Sequence, residues 1–403
     1  TEPGTTEPGT TEPGTTEPVT IGSIESKSDD SERALMTKFK TFPLDADGWS
    51  TITPQDDSRL VYVSSSNGDD ASARVYSKAQ VGSDPHNPVI AIKPFATIHA
   101  AYGQVRDGHG DWMLLKKGGE WTINAHIVTK WGRNDYERGV ITSYGSSTER
   151  PLVNTTHNIS ALRSNGVSHI AVTGIEFKSY QRDPQSVDFL GVSEIGNPTG
   201  FRMANIYGAV SNILIEDCVF SFYALNIGFS SDNLKSNVVI RRNYLDYAWS
   251  PTAHAQGMYV SVAEMLIEDN TFNHNGWYGA GGIGGATIFN HNMYLKNLSD
   301  SVIVGNTSVS PSSIGLKLTS NSKDGVNTIK AENIVIRDNL FVAGEIGVSA
   351  GGNTTYWNGY RWQNMAVKDN VFLHTGTENP TGRNVAWGVE VWDWDTGVVS
   401  NNH

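Results

Sequence analysis

Apolar and polar residues alternate along most of the chain in short runs that repeat. The segments HIAVTGIEF (169–177), NILIEDCVF (212–220), NVVIRRNYL (237–245), EMLIEDNTF (264–272), DSVIVGNTS (300–308), NIVIRDNLF (333–341) and NMAVKDNVF (364–372) share one plan. Each has an apolar stretch, a polar pair, an Asn or a substitute for it, and often an apolar residue two positions on. Runs of this period, bounded by Gly, Asn and Asp, predict β-strands. The spacing between the seven copies varies from 25 to 43 residues while the strand stays constant. Insertions therefore fall in loops, and the strand is the repeating unit of a solenoid. No copy can bury its apolar side alone; coils stacked about 4.8 Å apart bury it continuously.

The recurrent Asn falls at 243, 270, 306, 339 and 370, and Cys218 occupies the same slot in an earlier coil. Asn tolerates a left-handed turn, and its amide can bond to the equivalent residue one coil above and below. An architectural role is expected for the column. Five repeats are followed by a second strand: GMYV (257–260), NMYL (292–295), GLKL (315–318), GVSA (347–350) and GVEV (388–391). If Met258, Val260, Met293, Leu295, Leu316 and Leu318 point inward, alternation sends Tyr259, Tyr294, Lys317, Ser349 and Glu390 outward as one ladder. Arg202 in FRMAN and Gly228 in LNIGFS hold comparable places in earlier coils.

Ahead of the repeats, LVYVSSSNGDD (60–70) predicts an opening strand. KPFATIHAAYGQVRDGHGDWMLLKKGGEW (93–121) predicts a short helix and a first-coil strand, and VITSYGSSTERP (140–151) leads into the regular coils. On these residues, over roughly 60–402, the chain resembles the right-handed parallel β-helix proteins of the pectate-lyase-like class, polysaccharide lyases and their relatives. The resemblance implies an all-β fold, a right-handed parallel β-helix (solenoid) with long loop insertions. It bears on fold more than on activity, because that fold also carries hydrolases, epimerases and adhesins.

Composition agrees with many turns and little helix: 41 of 403 residues are Gly and 18% are charged. A net charge of −12 argues against a nucleic-acid partner. No apolar run is long enough to cross a membrane. An acidic polysaccharide remains a suitable partner provided a basic cleft is built locally. The single cysteine excludes an intrachain disulfide, and its place in a strand predicts a small buried residue. The opening TTEPG repeats predict a solvated, disordered linker over 1–30, ahead of a β-helix catalytic domain at 31–403. Such a tether suggests a secreted protein with an upstream module. Dinucleotide loops, phosphate loops and zinc spacings are missing from the sequence, so no cofactor is expected; Ca²⁺ in an acidic loop stays open, although no loop has a recognisable ligand spacing for it.

The ladder carries the candidate chemistry. Tyr and Lys side chains titrate near 10 unless perturbed, so service as a base needs a lowered value. A His precedes each tyrosine: His254 before Tyr259, His291 before Tyr294. The resemblance implies β-elimination, with Lys317 as carboxylate neutraliser or base and the Tyr294–His291 and Tyr259–His254 pairs in the proton steps. Substrate contacts are expected from Arg202, Gln256, Asn292, Arg361, Trp392, Glu390 and Trp277, the last in a Gly-rich insertion (272–286) placed to wall a cleft; Arg383 is a further candidate to grip an anion. Two alternatives stand beside the lyase. A glycoside hydrolase of a marine or plant-type polysaccharide would use carboxylates near Glu390 and Asp393, though the ladder lacks paired Asp. A non-catalytic glycan-binding adhesin or spike would need only the repeats. The DPH at 84–86, a catalytic motif in mannuronan C5-epimerases, lies in a Pro-rich loop before the first coil and is read as coincidence.

Overall fold

The computed structural model describes residues 25–39, 42–204, 210–230, 235–279, 283–320, 331–352 and 361–403, and every structural statement below concerns these. Each coil gives one strand to each of three sheets, one of twelve strands and two of nine. Apart from the antiparallel hairpin of Leu60–Val63 with Val75–Tyr76, the strands within each sheet pair in parallel with the next coil. The chain is thus a parallel β-helix. The opening strand, the short helix at Ile98–Tyr102 and the strand at Trp112–Lys116 lie where the sequence predicts them.

Each repeat spans two sheets. In one coil, Met265–Glu268 belongs to the large sheet and Thr271–Asn273 to the second. The bend between them is made by a residue of positive φ: Asp217 (58°), Arg242 (53°), Asp269 (55°), Gly305 (69°), Asp338 (53°) and Asp369 (57°). The left-handed turn therefore falls one residue before the Asn column, which corrects the expectation that the Asn itself adopts it. The Asn amides do a different job. Asn270 receives the backbone N–H (3.0 Å) and the amide (2.9 Å) of Asn243, and gives its own amide to Ile240 O and to Asn306 Oδ1. The chain of amides runs from the backbone of Cys218 through Asn243, Asn270, Asn306, Asn339 and Asn370 to Asn402. Cys218 is buried in it, and burial pushes its thiol up to about 12.

The third sheet carries the ladder. Its later strands are β1 (Leu225–Ser230), β2 (Gln256–Ser261), β3 (His291–Lys296), β4 (Ile314–Thr319), β5 (Ile346–Gly351) and β6 (Trp387–Trp392). Met258, Val260, Met293, Leu295, Leu316 and Leu318 point into the core and are fully buried. Alternation fails one residue earlier. A Cβ on Gly315 would sit 2.6 Å from Phe341 Cδ1, and one on Gly257 would sit 2.6 Å from Asn292 O and 2.7 Å from Asn275 Nδ2. Two successive residues thus face inward at this corner. The recurrent Gly leaves room for the Phe stack, whose Phe341 and Phe372 rings lie 5.2 Å apart. Asn226 and Asn292 replace it in other coils, and Asn275 from the preceding turn links their amides at 3.1 and 3.0 Å.

An apolar stripe on the outer face of the large sheet (Leu214, Val239, Leu266, Val302, Val335) is covered by the N-terminal segment. Helix α1 (Glu25–Lys38) starts that cover, inside the stretch expected to be linker; residues 1–24 lie outside the described residues. Leu35, Met36, Phe39, Phe42 and Ile52 pack on the stripe. Glu32 pairs with Arg337 and with Lys368 (3.1 Å), and Lys38 with Glu264. No helix among the described residues is long and apolar enough to cross a membrane.

Candidate active-site cleft

The outward face of β1 to β6 opens into a cleft of about 560 Å³. Register builds its floor. Tyr259 pairs with Tyr294, Tyr294 with Lys317, Lys317 with Ser349 and Ser349 with Glu390. Tyr259, Tyr294 and Lys317 therefore stand on consecutive rungs, a strand spacing of about 4.8 Å apart. The extra inward residue at each corner turns the one before it outward, so Gln256 and His291 also face the cleft.

The tyrosine rings meet edge to face, with centroids 5.3 Å apart, and the His291 ring lies 5.4 Å from that of Tyr294 at 87°. His291 is only 4% exposed. Burial first, and then the nearby Lys317, Arg383 and His254, push its pKa down to about 3, so the ring is neutral near pH 7. Its Nδ1 has no hydrogen-bond partner. Gln256 braces this corner: its Oε1 accepts the His291 backbone N–H at 2.5 Å and its Nε2 donates to Phe289 O at 2.7 Å. Lys317 Nζ donates to Ser349 Oγ at 2.8 Å. Burial holds its pKa below the usual lysine value, Glu390 works against that shift, and Arg383 adds to it.

His254, Glu390 and Trp392 also line the cleft, with Ile288 and Phe289 supplied by the connection between β2 and β3. His254 meets Phe289 at 5.5 Å. Arg383 reaches the cleft from the loop before β6. Lys296 was missed because only one rung per strand was followed; it lies two residues past Tyr294, on the next outward position. It places Nζ 3.4 Å from Tyr259 Oη and 5.7 Å from the ring centroid. Alternation past Tyr294 was the signal in the sequence that pointed to it, and in the structure its register partner is Ser261.

Four expected substrate contacts fall elsewhere. Asn292 is fully buried, with its amide spent on Ser308 Oγ (2.8 Å), Phe272 O and Val309 O, because it occupies the inward corner position. Trp277 stacks on His274 at 5.4 Å and gives Nε1 to Ser310 O, so it packs against the coil rather than walling the cleft. Arg361 is exposed and outside the cleft lining. Arg202 does share the ladder column, but Gly228 stands between it and Tyr259, and it does not line the cleft. Asp393 and Asp395 are not among the lining residues either, which leaves Glu390 as the one carboxylate among the described residues there. The DPH loop lies by the large sheet: Asp84 accepts the His86 backbone N–H and the Asn87 amide, and His86 Nδ1 bonds Ser143 O at 2.7 Å. No three His, Cys, Asp or Glu side chains among the described residues cluster as metal ligands.

No protein-family model and no curated protein matches the chain. Among solved structures it is similar to a rhamnogalacturonan lyase, at 14% identity over 85% of this chain and 87% of that one, with a TM-score of 0.49. It is similar to a lacto-N-biosidase from Eubacterium ramulus, at 13% identity over 85% and 68%, TM-score 0.46. A pectate lyase matches at 14% identity over 85% and 80%, TM-score 0.43. At these identities the likeness is one of fold.

Proposed function

We propose that the protein is a secreted polysaccharide lyase that cleaves an acidic, uronate-containing polysaccharide by β-elimination in this cleft. The observation that carries the reading is the set of side chains brought together there. Tyr259, Tyr294 and Lys317 stand on adjacent rungs with Arg383 beside them, and one carboxylate lines the same space. An inverting hydrolase needs two carboxyl groups about 6.5–9.5 Å apart, and Asp393 does not supply the second.

The chemistry follows from the positions. A uronate carboxylate held against Lys317 has its charge offset, which acidifies the C5 proton. Tyr294, between Tyr259 and Lys317, is placed to remove that proton with the neutral His291 beside it. The C5–H electrons form the C4–C5 double bond as the C4–O bond breaks. Tyr259 then returns a proton to the departing oxygen, with Lys296 at its hydroxyl. Trp392 and Phe289, both in the lining, offer apolar surface to sugar faces.

The test is a screen of pectate, alginate, glycosaminoglycans and sulfated algal glycans, following the ultraviolet absorbance of an unsaturated product. Lys317→Ala and Tyr294→Phe are expected to abolish it while circular dichroism and melting stay near wild type. Reducing ends without the chromophore indicate a hydrolase, and binding without either product indicates an adhesin; each sinks the lyase assignment.

A further inference from the structure

Glu345 is a fully buried carboxylate next to the cleft, and nothing in the elimination scheme uses it. Its partners explain why it is there. Oε1 accepts the backbone N–H of Thr381 at 3.1 Å and the Thr381 hydroxyl. Oε2 accepts Arg383 Nε at 2.7 Å and lies 2.6 Å from Arg383 Nη2. Nη2 also donates to Ser313 Oγ at 2.7 Å. Ser313 immediately precedes β4 and Glu345 immediately precedes β5, so the guanidinium is fastened to two consecutive coils at the roots of the strands bearing Lys317 and Ser349. Nε and Nη2 are spent in this way, whereas Nη1 makes no hydrogen bond among the described residues, and Arg383 lines the cleft.

A flexible arginine in a loop would lose much of its recognition energy to ordering; one locked by a buried carboxylate is pre-organised. Glu345 also offsets the charge of a guanidinium set near the Lys317 ammonium. We infer that Glu345 is a positioning residue that aims Arg383, and that Arg383 Nη1 and Lys317 Nζ together receive a carboxylate or sulfate of the sugar. This deepens the lyase reading and rests on it for the choice of a saccharide. It also sets Lys317 to the anion rather than to the abstracted proton, and it makes an anionic group obligatory for recognition.

Calorimetry on the whole chain tests it without requiring turnover. The probes are galacturonate, inorganic sulfate, and galactose as the neutral control. Wild type is expected to bind galacturonate and not galactose. The sulfate arm tells whether charge alone suffices or the sugar ring is needed. Glu345→Gln and Arg383→Lys are expected to weaken galacturonate about tenfold or more, the loss of a charged hydrogen bond. Tyr294→Phe should keep wild-type affinity and lose turnover. In steady state, Glu345→Gln should raise KM far more than it lowers kcat. A purely structural role for Glu345 would lower the melting temperature of its variant and leave the affinity of the folded fraction intact. The double variant Glu345→Gln/Arg383→Met removes both charges together, which spares the fold an unpaired buried ion, and should also lose galacturonate. Wild-type affinity in the single and double variants, or no binding by wild type, overturns the inference. Galacturonate binding that depends on Glu345, in a protein that eliminates nothing, upholds it and sinks the lyase reading instead.

Discussion

Burial keeps His291 neutral down to about pH 3, and this gives the cleft an acid-sensitive point. An unfolded-chain His takes up its proton near 6.5. Between those values the unfolded state binds a proton that the folded state refuses, so stability falls as pH falls. Relative to a His291→Asn variant, wild type should lose stability from about pH 6.5 downward, approaching ~4 kcal/mol near pH 3; paired denaturant melts across that window measure it. A flat difference would mean that the ring protonates in place. Lys317 provides the alkaline counterpart. Its lowered pKa brings loss of the ammonium to a lower pH than for an ordinary lysine, and Glu390 opposes that lowering. Glu390→Gln should therefore move the alkaline rise in KM to still lower pH. Single residues were legible where alternation holds: Met258 and Val260 in, Tyr259 out. Asn292 was misjudged because the inward corner breaks the period, and a polar residue beside an outward tyrosine reads as surface. Arg383 was picked out as an anion grip without a site residue's place, since a loop carries no register.

Within a coil, the corner glycines and the asparagine amides are the demanding positions. Gly315→Ala places a methyl 2.6 Å from Phe341 Cδ1 and 2.7 Å from Gly347 O. The expected cost is about 1–3 kcal/mol of overpacking, read as a shift in the urea midpoint. Asn306 is 1% exposed; its Oδ1 accepts the Asn270 backbone N–H and amide, and its own amide serves Asn339, Ile267 O and Val304 O. Asn306→Ala should cost about 3 kcal/mol or more, because buried partners are left unmatched on both sides. The Asn column could be read from the repeat, as could its amide bonding. The left-handed residue beside it could not, since Asp, Arg and Gly share that slot and only the backbone shows their common φ.

At the level of the molecule, the solenoid was legible because one strand recurs with loops of changing length. The cover over the large sheet was not, because the helix at 25–38 lies against a distant part of the chain and follows a low-complexity run. A chain beginning at Ser58 should bind a hydrophobic dye strongly and melt roughly 5 °C or more below wild type, with Leu214, Val239, Leu266 and Val302 uncovered. Galacturonate affinity should survive, since the cleft belongs to another sheet. Unchanged melting and no dye binding would show the cover to be dispensable. The loop between one rung and the next has a further consequence. Tyr294 lies 35 residues after Tyr259 along the chain and Lys317 lies 23 after Tyr294, yet the step in space is the same. Excursions of the chain can thus be lengthened, trimmed or exchanged as freely as shelves on fixed brackets; under the proposed lyase function, that alters which glycan fits while the ladder side chains keep their distances.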